Sequence, residues 1–122
     1  PKPGPLHNYL ANLLSIAYAD GELSPNEDAE LNKVLSRLGA SARDLDTAFN
    51  IVASGDYQGE LVGTYSEQVA NIEDMMRVCM ADGEIKEPEQ QWITYFSGLV
   101  GLNQEQVDKV FQSLDASISA NT

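Results

Sequence analysis

The chain has 122 residues, 19 of them acidic and 7 basic, and a net charge of −12 at neutral pH. That length suits one domain with one core, and a hydrophobic fraction of 43% can fill it. The charge excludes ordinary nucleic-acid binding, which needs Lys and Arg against phosphate, and argues against docking on or inserting into an anionic membrane. It leaves cations, basic protein partners and plain solubility.

The single cysteine, Cys79, rules out an intramolecular disulfide and a zinc site built mainly from thiolates. No apolar run approaches the ~18 residues of a membrane span, and no charged-then-apolar leader is present. The chain opens Pro1-Lys2-Pro3-Gly4-Pro5 without Met, so a piece of a longer protein is expected. The lack of disulfides favours the cytoplasm, with a parent chain free to be membrane-associated.

The predicted elements are all helical. Leu6, Tyr9, Leu10, Leu13, Leu14 and Ala17 recur at i, i+3, i+4, i+7 and predict a helix over 5–19. Leu31, Val34, Leu35 and Leu38 give a second over 25–38, opened by Ser24-Pro25-Asn26-Glu27, a capping box with Pro in the first turn. Leu45, Ala48, Phe49 and Val52 give a third over 42–54, after the weaker start signal Ser41-Ala42-Arg43-Asp44. Residues 55–65 contain Gly55, Gly59 and Gly63 and read as the joint between two halves, with Tyr57, Leu61, Val62 and Tyr65 covering the core.

The second half continues in the same way. Val69, Ile72, Met76, Cys79 and Met80 predict a helix over 66–81. Trp92, Ile93, Phe96, Leu99 and Val100 predict one over 87–99. Val107, Val110, Phe111, Leu114 and Ile118 predict one over 104–118, begun by Asn103-Gln104-Glu105-Gln106. Gly21, Gly39, Gly83 and Gly101 sit where helices should stop.

These halves are copies. Residues 14–49 align with 76–111 at a constant offset of 62, without a gap over 36 positions. Identical pairs are Ala19/Ala81, Asp20/Asp82, Gly21/Gly83, Glu22/Glu84, Glu27/Glu89, Gly39/Gly101, Asp46/Asp108 and Phe49/Phe111. The expected fold is one all-α domain over 1–122: two pseudo-symmetric three-helix repeats, about 5–54 and 66–118, joined by linker 55–65.

Each copy puts Ala-Asp-Gly-Glu at a helix end and a Glu early in the next helix. Asp20, Glu22 and Glu27 form one acidic corner; Asp82, Glu84 and Glu89 form the other. Carboxylate oxygens are the ligands hard cations take, which makes these six the candidate ligands of a divalent metal, Ca²⁺ or Mg²⁺ favoured. A shared site requires the two corners to lie together. The pattern is not an EF-hand: counted from Asp20, the position needing Gly is Pro25 and the one needing Glu is Leu31. The plainer reading is that the glycines stop helices, Glu27 caps with Ser24, and the acids complement helix dipoles. Against it, Lys86 stands where the first copy has Ser24, so side-chain capping is lost while Glu89 is kept.

The doubled helix–ADGE–corner–Glu pattern resembles the tellurite-resistance TerB-like family, and is similar to the N-terminal domain of DjlA-type J-domain co-chaperones. The resemblance spans residues 6–118 and implies an all-α fold with the two acidic corners facing each other. It implies divalent-metal binding by Asp20, Glu22, Glu27, Asp82, Glu84 and Glu89, and a non-enzymatic role in stress response or complex assembly with a protein partner not identified by sequence. Lys86 and Pro88 depart from the first copy, so the second corner is expected to bind less well or differently. The alternative is an interaction domain whose acids only cap helices or contact a basic partner. A metal-using hydrolase ranks last, because one terminal His and one Cys supply no nucleophile–base pair.

Cys79 lies on the face expected to be buried and reads as structural. Met75, Met76 and Met80 read as core filler. His7 has no partner motif in the sequence and reads as a solvated terminal residue. Trp92 aligns with Glu30, and reads as asymmetric packing ahead of a partner surface.

Overall fold

In the computed structural model, residues 5–120 are described, with side chains through Leu114. Six helices run α1 Pro5–Ala17, α2 Pro25–Leu38, α3 Ala42–Ala53, α4 Tyr65–Met80, α5 Glu87–Val100 and α6 Gln104–Ala120. The fold is all-α, as the helical spacing required. The starts of α2 and α5, and of α3 and α6, are 62 residues apart, which is the offset of the sequence repeat. Ile118, expected in the α6 stripe, lies beyond the described side chains.

Helix starts follow one chemical rule. The third residue of the helix turns back to accept the backbone N–H of the N-cap: Glu27 to Ser24, Asp44 to Ser41, Glu67 to Thr64, Glu89 to Lys86 and Gln106 to Asn103. In four of these the N-cap side chain accepts the reciprocal N–H; Lys86 has no acceptor to offer. Glu89 therefore recurs without Ser24's counterpart because the backbone half of the cap survives. The Thr64–Glu67 pair, unread in the sequence, starts α4 at Tyr65.

Helix ends divide into two kinds. Gly39 and Gly101 are left-handed caps as expected, at φ 69° and 95°. Gly21 and Gly83 are not: α1 stops at Ala17 and α4 at Met80, and each glycine closes a further turn, its N–H donating to Tyr18 and Met80 carbonyls. The acidic residues Asp20 and Asp82 thus stand on turns between helices.

α1 and α4 form the centre and pack against each other. α1 also packs on α3, and α4 on α2 and α5, so the two central helices are the most buried, Asn12, Asn71 and Asp74 included. Leu10, Leu13, Ile16, Ile72, Met75, Met76, Ile93 and Phe96 are fully buried in one cluster. Cys79 is buried as expected, and burial raises its thiol above the usual range. Val62 and Tyr57 of the linker cover this core, while Leu61 and Tyr65 remain exposed.

Asn12, Asn71 and Asp74, polar side chains inside the core, are matched to partners. Asn12 donates to Asn71 Oδ1 and to the Glu60 carbonyl, both at 2.8 Å, and accepts from Tyr57 Oη at 2.6 Å. Asp74 is fully buried on α4 and accepts from Tyr9, Arg37 and Arg77, tying α1, α2 and α4 together. Burial and the Asp74 hydrogen bond both raise Tyr9, and Asp74 raises Arg37. His7, expected to be a solvated terminal residue, is part-buried with its Nε2 3.0 Å from Asp44 Oδ1, so α1 reaches the start of α3.

Candidate functional site

The two acidic corners lie together, and reciprocal bonds join them. The Lys86 ammonium donates to Asp20 Oδ2 at 2.7 Å. Ser24 Oγ donates to Asp82 Oδ2 at 2.7 Å, and Asn26 Nδ2 to Asp82 Oδ1 at 3.0 Å. Ser24 and Lys86 are equivalent positions of the repeat, as are Asp20 and Asp82, so each corner's aspartate is held by the other corner's N-cap residue. The turns closed by Gly21 and Gly83 make this possible, because they leave each aspartate beyond the end of its own helix.

Beneath these pairs sit Glu27 and Glu89, only 2% and 1% exposed. Each spends Oε1 on the N-cap of its own helix. Their carboxyls face one another, with the Cys79 thiol alongside. Glu89 Oε2 is buried and has no hydrogen-bond partner. Burial pushes the Glu89 carboxyl up to about 7; the Lys86 N–H opposes this and the facing Glu27 adds to it. At the rim the sense reverses: the Lys86 ammonium holds Asp20 below the usual carboxylate range.

Of the six expected acids, Asp20 and Asp82 are therefore bonded across the junction of the corners, and Glu27 and Glu89 face each other beneath it. Glu22 and Glu84 are exposed, and neither side chain joins the cross-corner bonds. Among the described residues no group of three or more His, Cys, Asp or Glu side chains is placed to hold a metal ion. All four acids offer oxygen, the donor type hard cations take, and Glu89 Oε2 is buried with only the Glu27 carboxyl and the Cys79 thiol beside it. In its present arrangement Lys86 neutralises Asp20, while Ser24 and Asn26 saturate Asp82. Sequence reasoning marked Lys86 as a departure without seeing that it supplies the counter-charge. The signal was available, since Lys86 occupies the N-cap position that faces the opposite aspartate.

Comparison with known proteins gives one family match. Residues 3–50 match the family model described as Tellurite resistance protein TerB. Over those residues the chain is similar to that family. The match takes in the first acidic corner whole: Asp20, Glu22 and Glu27. No curated protein and no solved structure matches the chain. Among the described residues, no helix is long and apolar enough to cross a membrane.

Proposed function

We propose that this TerB-like chain is a non-enzymatic module that takes a divalent cation between its two acidic corners, and uses it in stress response or in assembling a complex. The observation that carries this reading is the buried Glu27–Glu89 pair, whose Glu89 Oε2 meets only the Glu27 carboxyl and the Cys79 thiol. Two carboxyls facing each other away from water repel when both ionise, and a proton or a cation between them relieves that repulsion. Asp20 and Asp82, at the rim of the same junction, carry further oxygen donors, bonded to Lys86 and Ser24 until an ion displaces them. Lys86 Nζ is the built-in competitor, because it already carries positive charge to Asp20.

The test is calorimetric titration of the protein with Ca²⁺, Mg²⁺, Mn²⁺ and Zn²⁺, paired with thermal melts. NaCl at matched ionic strength controls for screening of the −12 charge. Saturable heat and a rise in Tm that grows with ion concentration are expected, as for any ligand that binds the folded state. The combined variant Asp20→Asn, Asp82→Asn should lose the response while remaining folded. Absence of heat and of stabilisation at millimolar ion overturns the reading.

A further inference from the structure

The second copy of the repeat differs from the first on one face, and that difference builds a groove of about 670 Å³. Its walls are Tyr18 at the end of α1, Val52 of α3, Tyr57 of the linker, and Pro88, Trp92 and Tyr95 of α5. The aromatic walls are fixed. Tyr57 is held by its hydroxyl on Asn12. Trp92 and Tyr95 stack at 5.4 Å between centroids. The linker backs Trp92 at Gly59, where an added Cβ would come within 3.4 Å of the indole and 3.3 Å of Phe96. Tyr95 is 45% exposed, a large aromatic surface left to solvent.

The equivalent face of the first copy is chemically opposite. Sixty-two residues before Trp92 and Tyr95 stand Glu30 and Lys33, which pair at 3.5 Å. They line a smaller groove of about 290 Å³ with Arg37, Asp74 and Arg77, where cations and carboxylates satisfy one another. The aromatic groove has no such internal cation. Among the described residues, no Lys or Arg lines it, and Lys86, next to Pro88, is engaged with Asp20. Carboxylates border it instead. Exposed Asp56 precedes Tyr57, and exposed Glu87 shares a shallow depression with Gln91 and Tyr95 beside the groove.

We propose that this groove docks a partner-protein segment bearing Lys or Arg side chains, with a cation over the Trp92 and Tyr95 rings, its aliphatic stem against Val52 and Pro88, and Glu87 beside it. Charge complementarity selects that occupant. Aromatic faces attract cations, neighbouring carboxylates reinforce the attraction, and a chain of net charge −12 repels acidic segments. The proposal does not depend on metal at the acidic corners, and its test is run in EDTA.

Trp92 is the only tryptophan and lines the groove, so its emission reports occupancy directly. The full chain is titrated with a synthetic peptide of about ten residues alternating Lys or Arg with Leu, and with its Glu–Leu counterpart. Each titration is run at about 20 and about 150 mM NaCl. A saturable emission change with the basic peptide alone is expected, weaker at the higher salt. Tyr95→Ala should weaken it about five- to tenfold and Glu87→Gln about threefold. Both residues are exposed, and thermal melts check that each variant folds; Tyr95→Leu, which keeps apolar bulk without the ring quadrupole, should weaken binding nearly as much as Tyr95→Ala. An equal response to the acidic peptide overturns the proposal. So does calorimetric binding of the basic peptide that leaves Trp92 emission unchanged or survives Tyr95→Ala, which places it elsewhere on the acidic surface. No binding by either method overturns it as well.

Discussion

Glu89→Gln should raise stability at pH 8 and leave it nearly unchanged near pH 4.5. In the folded chain the Glu89 carboxyl sits at about 7, against an ordinary value of 4.5. Below 4.5 it carries its proton in both the folded and the unfolded chain, and its burial adds no pH-dependent cost. Between 4.5 and 7 the unfolded chain releases the proton first, so folding must take one up, and stability falls as pH rises. Above 7 the penalty is constant. At 1.36 kcal/mol per tenfold change in proton affinity the ceiling is about 3 kcal/mol, which relaxation and water reduce to about 1–3 kcal/mol.

Gln at position 89 keeps the shape and can still accept the Lys86 N–H, but it never ionises beside Glu27. For a domain of this size the relief corresponds to a Tm gain of about 5–10 °C at pH 8. The carboxylates whose values are lowered, Asp20 and Asp44, work in the opposite sense: they add stability above the ordinary 3.8 and lose it as pH falls, below this window. Melts of both proteins in EDTA from pH 4.5 to 8 isolate the difference. A Tm difference that does not change with pH, or a variant equally destabilised throughout, would refute the account of a strained carboxyl pair.

Asp74→Ala removes a fully buried acceptor from Tyr9, Arg37 and Arg77, and should cost about 3 kcal/mol by urea unfolding. Arg37→Ala should cost only about 1 kcal/mol, since that side chain is 53% exposed and its loss leaves Asp74 with two donors. Phe96→Ala empties the centre of the core and should cost about 3–5 kcal/mol. It should also shift the emission of Trp92, whose ring centroid is 6.4 Å away.

Much of the fold could be read along the chain because local rules specify it. The 3.6-residue spacing of Leu31, Val34 and Leu35 marks a buried face in any context, and α2 occupies the residues expected of it. Ser24-Pro25-Asn26-Glu27 is a complete local instruction, since every group in the capping box lies within four residues. Where such rules were misread, the cause was also local. Gly21 and Gly83 signal positive φ, which a helix cap and a separate turn both satisfy, and the turn prevailed.

The sequence by itself determined six helices, a duplicated unit and a doubled acidic corner. Only the tertiary structure decided what the acids face. Asp20 meets Lys86 and Asp82 meets Ser24 across 66 and 58 residues, distances over which spacing carries no information about contact. It also divided six equivalent-looking carboxylates into a buried pair, a bonded rim and two exposed residues. Burial is the physical reason: the packing of α2 and α5 against α4 removes Glu27 and Glu89 from water, and leaves Glu22 and Glu84 in it.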